Sequence, residues 1–554
     1  MTFPWLVLGA LGTAALAYAL ARLTKQYALA SVAGSGAILL LHGIFYFHYT
    51  SDDAYITYRY ARNFADGAGI VWNPGQWVEG YTNFLWLIVL AGLHRAGADL
   101  VLSGRWLGFG LSVVAAGAAY MLCIRLLEGA PGRAAGLAAA LLLATCGTWA
   151  IWATAGLESP LFAVLTLAAV LLHLREQRSP RLPASGAVWA FVAMTHPDGL
   201  LLLAVSGVFK LGEALARLRA SSASRTRALL VEALSLLAWV AGFVALFVPY
   251  FVWRYREYGW IFPNTYYDKV GASFDQYQRG LAYVAAFSQE YAAWLLLLAP
   301  LALALTAIRR VPALYVLALV VSWMGYVVYV GGDSLARYRF LAPILPLAYA
   351  LIATSGAALI AGQTAARKRW LAEAASVLAV AGLLAFNLHA SAADFGLPRE
   401  RAAVADRVAI GRWLRANVPT TTTIALIPVG AIPYESRLTT IDMLGLNDEH
   451  IAHRAIDLGR FPAGHEKYDS QYVLSLRPEI IILTDSLQSA PWARHDYNAF
   501  DTGVIPARVD MLDQPLLWQE YAPRSVRLGP GRWFNLLVRR DAAVVMAMTV
   551  PPTG

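Results

Sequence analysis

Twelve apolar runs dominate the first 388 residues of the chain, at 4–21, 29–48, 103–124, 135–152, 157–174, 184–195, 199–215, 229–252, 282–308, 312–330, 340–362 and 371–388. A helix needs roughly 20 apolar residues to cross a bilayer core, and irregular chain cannot cross because its backbone polar groups would go unsatisfied. The pattern predicts a mainly α, polytopic membrane protein with about 11–12 transmembrane helices, the run at 184–195 being the weakest of them. Only 14% of residues are charged, against roughly 25% in soluble proteins. The first run lacks a basic segment ahead of it and a clear small-residue cleavage site before Arg22, so it reads as a retained span rather than a signal peptide. Cys123 and Cys146 both lie in apolar runs and read as buried small side chains, not a disulfide.

Charge orients the spans. Cations gather at Arg22/Lys25, Arg125/Arg133, Arg175/Arg178/Arg181, Arg217 through Arg227, Arg309/Arg310 and Arg367/Lys368/Arg369. These loops alternate with others that are acidic, aromatic or rich in Gly and Pro. The net charge of +9 therefore marks cytoplasmic loops rather than nucleic-acid binding. The remaining loops face outward: Asp52/Asp53, Gly156 to Glu158, Thr195 to Gly199, 253–281 and 331–339. Residues 84–93 fit this alternation only as an interfacial or re-entrant helix. The expected division is a membrane catalytic domain over 1–388 and an extracytoplasmic α/β domain over 389–554. In the latter, the β-rich runs T-T-T-I-A-L-I-P and P-E-I-I-I-L-T are separated by helical patterns such as A-D-R-V-A-I-G-R-W-L.

The outward loops hold nearly all the chemically capable side chains. Nucleotide sugars are absent there, so a sugar donor has to be carried by lipid. In T-S-D-D-A-Y-I-T-Y-R-Y-A-R-N, Asp52 and Asp53 follow an apolar run. One carboxylate is accounted for by a capping box from Thr50 to Asp53. A second beside it suits a general base acting on an acceptor hydroxyl, or a site for Mg²⁺ or Mn²⁺. No motif makes a cofactor obligatory: there is no zinc spacing, P-loop or G-x-G-x-x-G. Downstream, Tyr55, Arg59, Arg62 and Asn63 share one side of a helical pattern, with Ile56, Tyr60 and Phe64 on another, as in an amphipathic helix at the interface.

Three more clusters lie outside. In W-N-P-G-Q-W-V-E-G-Y-T-N-F-L-W, an aromatic belt explains the Trp residues but not Glu79 and Asn83, which with Tyr81 suit a sugar. In I-F-P-N-T-Y-Y-D-K, Asn264, Tyr266, Tyr267 and Lys269 suit a sugar and a phosphate. In G-G-D-S-L-A-R-Y-R-F, Arg337 and Arg339 stand on the side where few cations are expected, near Asp333. Arginine there can hold a phosphate in bidentate fashion. His196 and Asp198 in T-H-P-D-G are weaker candidates, since a turn accounts for Pro197 and Gly199. His450 and His453 could ligate a metal, but a solvated loop explains them as well.

The string D-D-A-Y-I-T-Y-R-Y-A-R-N, then G-I-V-W-N-P-G and V-E-G-Y-T-N-F-L-W, resembles the mycobacterial terminal β-(1→2) arabinofuranosyltransferases and, more widely, membrane glycosyltransferases of the GT-C fold. P-N-T-Y-Y-x-K, the G-G-D run and the later V-G-A-I-P-Y and D-M-L-G-L-N-D extend the resemblance over most of the chain. It implies a decaprenyl- or undecaprenyl-phosphoryl arabinofuranose donor. The acceptor would be a cell-envelope glycan, glycolipid or glycoprotein, met on the outer face of a bacterial inner membrane. It also implies an acid, Asp52 or Asp53, acting on the acceptor hydroxyl, and donor-phosphate contacts at Lys269, Arg337 and Arg339. The remaining candidates, Arg59, Glu79, Tyr81, Asn83, His196, Asn264, Tyr266, Tyr267 and Asp333, would meet sugar or acceptor. His196 departs from the pattern, which has Arg in that turn. Two other readings stand: an undecaprenyl-phosphate hexose transferase acting on lipopolysaccharide or a surface protein, and a lipid-linked sugar flippase. The flippase would need charge through the middle of several spans, where this chain has little.

Overall fold

Apolar helices longer than a bilayer core form first along the chain and set its frame. The structure, a computed structural model, describes residues 3–177, 183–220, 224–335, 337–363, 369–392, 396–499 and 505–542. Arg178, Arg181, Arg367 and Lys368 lie outside the described residues. In chain order the helices are α1 (Phe3–Thr24), α2 (Tyr27–Tyr46), α3 (Asp52–Ala65), α4 (Phe84–Arg95), α5 (Leu100–Leu126), α6 (Gly129–Thr145), α7 (Gly147–Trp152), α8 (Ser159–Glu176) and α9 (Ser185–Thr195). They continue as α10 (Gly199–Ala220), α11 (Arg225–Tyr258), α12 (Asn264–Lys269), α13 (Phe274–Glu290), α14 (Leu298–Leu305), α15 (Arg310–Tyr329), α16 (Leu345–Gln363) and α17 (Arg369–Ala390).

Among the described residues nine helices are long and apolar enough to cross a membrane, or ten if one bent pair counts as a span. This corrects the expected 11–12, and the three differences have physical causes. Over 135–152 the helix stops at Thr145, Cys146 turns extended (φ −70°, ψ 118°), and α7 restarts the chain, with 139–152 buried throughout. α9 has 11 residues, about 16 Å at 1.5 Å per residue, and is covered by protein rather than lipid. Over 282–308 the chain bends by 90° after α13, where Ala292 adopts φ 52°. The apolar run 84–93 is the 12-residue helix α4, packed on α3 and α5.

The cation-rich turns meet at one end of the bundle. Arg309 donates to the Arg125 carbonyl at 3.2 Å, and Arg22 pairs with Glu373 at 3.4 Å. At the other end lie Asp53, Glu79, Glu158, Arg254 and Arg339, joined by the contacts described below.

α18 (Pro398–Asn417) leads into a five-stranded sheet, with α19 (Ala431–Ser436) following its first strand. The strands are β1 (Thr423–Leu426), β2 (Thr439–Asp442), β3 (Ile480–Ile482), β4 (Tyr521–Gly529) and β5 (Arg532–Arg539), in the order β2-β1-β3-β5-β4. β1 is parallel to β2 and β3, with Ile424 opposite Ile480, while β5 is antiparallel to β3 and β4. β3 is three isoleucines, all buried, as a central strand covered on both faces requires.

Two expectations for α3 are corrected. The capping box does not form: the Thr50 hydroxyl accepts from Arg105 at 2.7 and 2.9 Å, and the helix starts at Asp52 with Ser51 as N-cap. Nor does α3 rest on lipid. Residues 54–62 are all buried, because α4 and α5 cover one face and α19 covers the other.

Polar side chains of α3 therefore fasten the sheet domain to the membrane helices. The Arg59 guanidinium donates to the carbonyls of Trp72 (2.8 Å), Pro433 (2.7 Å) and Leu438 (2.8 Å) and to Asn73 Oδ1 (2.9 Å). Arg62 reaches the Tyr434 carbonyl at 2.7 Å. Asp52 accepts from the amides of Gly430 (3.1 Å) and Ala431 (3.0 Å) and pairs with Arg407 at 3.3 Å. Gly430 is obligatory there, since a Cβ would overlap the Asp52 main chain. Arg59→Leu would strand several buried acceptors, each costing about 1–3 kcal/mol. The expected outcome is a lowered melting temperature in detergent and faster proteolysis between α17 and the sheet.

Candidate active site

A cavity of about 430 Å³ opens at the acidic end of the bundle, beneath the sheet domain. Its polar end is built by the first turn of α3, the loops before α4, α8 and α10, helix α12, and residues Gly332, Asp333 and Arg339. Asp53, Asn83, Glu158, His196, Asp198, Lys269, Asp333 and Arg339 all line it. The opposite wall is aromatic, with Phe247, Tyr250, Phe251, Phe262, Trp323 and Tyr326. One end suits ionic groups and the other hydrocarbon.

Arg339 organises the polar end. Its Nε lies 2.6 Å from Asp333 Oδ2 and its Nη2 lies 3.2 Å from Asp333 Oδ1, a two-point contact that fixes the guanidinium plane. Nη1 then reaches Asp53 Oδ2 at 3.2 Å. Burial pushes the Asp53 carboxyl up, but Lys269 and Arg339 outweigh it and hold the group below its ordinary value. Asp53 is thus ionised at neutral pH. Lys269 forms no ion pair among the described residues, lines the cavity, and is the charge that acts most strongly on Asp53.

A second group orders the side wall. Asn83 donates to Glu158 Oε2 at 2.7 Å and to Thr57 Oγ1 at 3.0 Å. His196 Nδ1 lies 2.9 Å from Asp198 Oδ2. Burial lowers that imidazole, yet the Asp198 carboxylate raises it above its usual value overall. Beneath the aromatic wall, Arg254 lines the cavity and is paired with buried Glu79 at 2.7 and 2.8 Å.

Of the residues singled out from sequence, Asp53, Tyr81, Asn83, His196, Tyr266, Lys269, Asp333 and Arg339 meet in this cavity. Others lie elsewhere. Asp52 turns into the domain seam and is held by Arg407 and two amides. Arg59 is the fastener described above. Arg337, at φ 59°, turns to Glu290 at 2.5 Å and the Ala390 carbonyl at 3.1 Å. Asn264 donates to the carbonyls of Gly445 and Leu446. Tyr267 packs its ring 4.2 Å from His453, and His450 pairs with Asp469. Glu79 supports the wall through Arg254. Two charged lining residues, Glu158 and Arg254, are not among the sequence candidates. Arg254 carried the signal that marked Arg339, a cation on the side where few are expected.

Asp52 and Asp53 have separate partners, and no cluster of three metal-ligating side chains occurs among the described residues. The pair does not fit a shared divalent cation.

Residues 397–533 match a family described as a domain of unknown function, DUF8728. The chain is similar to the terminal β-(1→2)-arabinofuranosyltransferase of Mycobacterium tuberculosis, 31% identical over 294 residues, which is 50% of this chain and 44% of that one. It thus spans less than half the length of that relative. Among solved structures it is similar to ArnT from Cupriavidus metallidurans bound to undecaprenyl phosphate, with TM-score 0.55 at 12% identity over 93% of this chain and 99% of the other. It is also similar to the apo oligosaccharyltransferase of Archaeoglobus fulgidus, with TM-score 0.50 at 11% identity over 91% and 74% of the two chains. At such identities the likeness concerns fold. The membrane bundle has the GT-C architecture that the resemblance implied, and the likeness to a terminal arabinofuranosyltransferase is borne out.

Replacing Arg339 by Gln leaves Asp53 and Asp333 without their shared cation. Breaking such a buried pair costs about 3–5 kcal/mol, read as a lower melting temperature at neutral pH. The Asp53 carboxyl, held below its ordinary value in the parent, rises in the variant. The parent's advantage is full above the carboxylate range and is lost as pH falls through it, so the two melting curves converge on acidification.

Proposed function

We propose that the chain is an integral-membrane glycosyltransferase that moves arabinofuranose from a polyprenyl-phosphate donor to a hydroxyl of a cell-envelope glycan, at the outer face of the bacterial inner membrane. The observation that carries this reading is the ionised Asp53 carboxylate, set between Lys269 and Arg339 at the polar end of a cavity whose other wall is aromatic. Such a site suits a ligand with a phosphate and sugar at one end and a prenyl chain at the other. The similarity to a terminal arabinofuranosyltransferase supports the pentose, and the undecaprenyl phosphate bound by ArnT supports the lipid carrier. The outward assignment rests on the cationic turns at the opposite end of the bundle.

In this reading the donor phosphate is met by the Lys269 ammonium and the outer edge of the Arg339 guanidinium, whose plane Asp333 holds. Both cations sit where negative charge grows as the bond from sugar C1 to the phosphate oxygen breaks, which is where preformed charge stabilises a transition state most. Asp53 accepts the hydrogen bond of the incoming hydroxyl and draws its proton as the new bond to C1 forms. Asn83, fixed by Glu158 and Thr57, and His196 face the sugar. Asp52 takes no part in the chemistry and keeps the sheet domain seated over the cavity.

The test is transfer by purified protein from synthetic polyprenyl-phosphate arabinofuranose, with hexose donors alongside and linkage analysis of the product. Asp53→Asn is expected to lower the rate by about 10²–10⁴-fold, whereas Asp52→Asn keeps measurable turnover and melts earlier. Full activity in Asp53→Asn would overturn the assignment. A hexosyl product in place of a pentosyl one would replace the donor.

A further inference from the structure

Helix α12 lies in sequence between α11 and α13, yet it docks on the sheet domain. It packs on the short helix α20 (Glu449–Ala452). At its start, Asn264 Nδ2 donates to the carbonyls of Gly445 (2.8 Å) and Leu446 (3.1 Å). Near its end, the buried Lys467 ammonium donates to the carbonyls of Tyr267 (2.9 Å) and Ala452 (2.6 Å), so one cation ties α12 to α20.

The sheet domain also meets the Lys269 side chain directly. Ala463 lines the cavity, and Gly464 follows at φ +76°. A Cβ on Gly464 would stand 2.7 Å from Lys269 Cε and 3.5 Å from its Cδ and Cγ. Three carbons of the lysine stem therefore run across a bare α-carbon. The turn itself is held firmly: buried Glu466 accepts from the amides of Gly459 (2.6 Å) and Phe461 (3.1 Å) and pairs with Arg279 of α13 at 3.2 Å. Any side chain placed at 464 would therefore displace the flexible lysine stem before it displaced the turn.

We propose that Gly464 and Lys467 are positioning residues for Lys269, so that the sheet domain completes the donor-phosphate site. This rests on the glycosyl-transfer reading, in which Lys269 meets the donor phosphate. Lys467 sets where α12 lies, and Gly464 sets the course of the stem that leaves it. A free lysine gives up much rotamer entropy when it is fixed on a ligand. Holding the stem in one course before the donor arrives removes that ordering cost from binding.

The experiment uses the full chain with synthetic polyprenyl-phosphate arabinofuranose and measures KM for donor and acceptor separately. Gly464→Ala is expected to raise the donor KM by about 10–100-fold, the worth of a hydrogen bond to a charged group, and to leave the acceptor KM at the parental value. Gly531→Ala is the control. It imposes a like left-handed strain in the hairpin between β4 and β5, with nothing within 4 Å of the added carbon, and should keep the parental donor KM. Lys467→Met, a second route to the same displacement, should raise the donor KM as Gly464→Ala does. Affinity for undecaprenyl phosphate, which needs no turnover, closes the cycle: in Lys269→Met neither substitution should weaken binding further, because the group they position is gone. Additive losses there, or parental donor KM in folded Gly464→Ala and Lys467→Met, would overturn the proposal. Transfer from no donor by the parent overturns the transferase reading and this inference with it, whereas transfer whose donor KM ignores both substitutions overturns the inference alone.

Discussion

A charge stripped of water costs several kcal/mol unless a partner stands within hydrogen-bonding reach, and helix α3 is covered on both faces while carrying Asp52, Asp53, Arg59 and Arg62. Each of them must therefore be answered by another part of the chain. Arg59 finds carbonyls of the sheet domain, Arg62 finds the Tyr434 carbonyl, Asp52 finds two amides and Arg407, and Asp53 finds Arg339. The first three weld the two domains together. The fourth leaves a charge at the edge of an opening, and that opening is the candidate site.

The same constraint separates two adjacent acids. At the start of a helix, neighbouring residues point roughly 100° apart. One carboxylate is therefore directed into the seam with the sheet domain and the other into the cavity. The electrostatic consequence is large. Asp52 is saturated by structure, whereas Asp53 is held ionised by Lys269 and Arg339, cations that a phosphate can also address. Asp333 matters in this arrangement because it fixes the guanidinium without occupying the face turned to Asp53.

Much of the site was legible because topology alone makes some residues improbable. Cations or carboxylates at the non-cationic ends of apolar runs need a reason, and Asp53, Lys269, Asp333 and Arg339 all satisfy that test. Arg254 satisfies it too, as a cation at the non-cationic end of a long apolar run. Arg337 satisfied it and still lies outside the cavity: two successive left-handed residues, Arg337 and Tyr338, swing its side chain to Glu290. Arg59 and Asn264 looked like sugar ligands because a polar side chain bonded to main-chain carbonyls has the same composition as one bonded to a substrate.

Local pattern settled nine of the spans, their order, the cationic and acidic ends of the bundle, and the presence of an α/β unit after them. These depend on hydrophobicity and charge along short stretches, which do not change with what packs alongside. The partner of each charge was decided only in three dimensions. Asp53 and Arg339 lie 286 residues apart, and Asp52 is 378 from the amide it holds. Interrupted helices belong to the same category: a run of apolar residues is equally content in lipid or in protein, so the break at Cys146 and the bend at Ala292 follow from neighbours that no local pattern records.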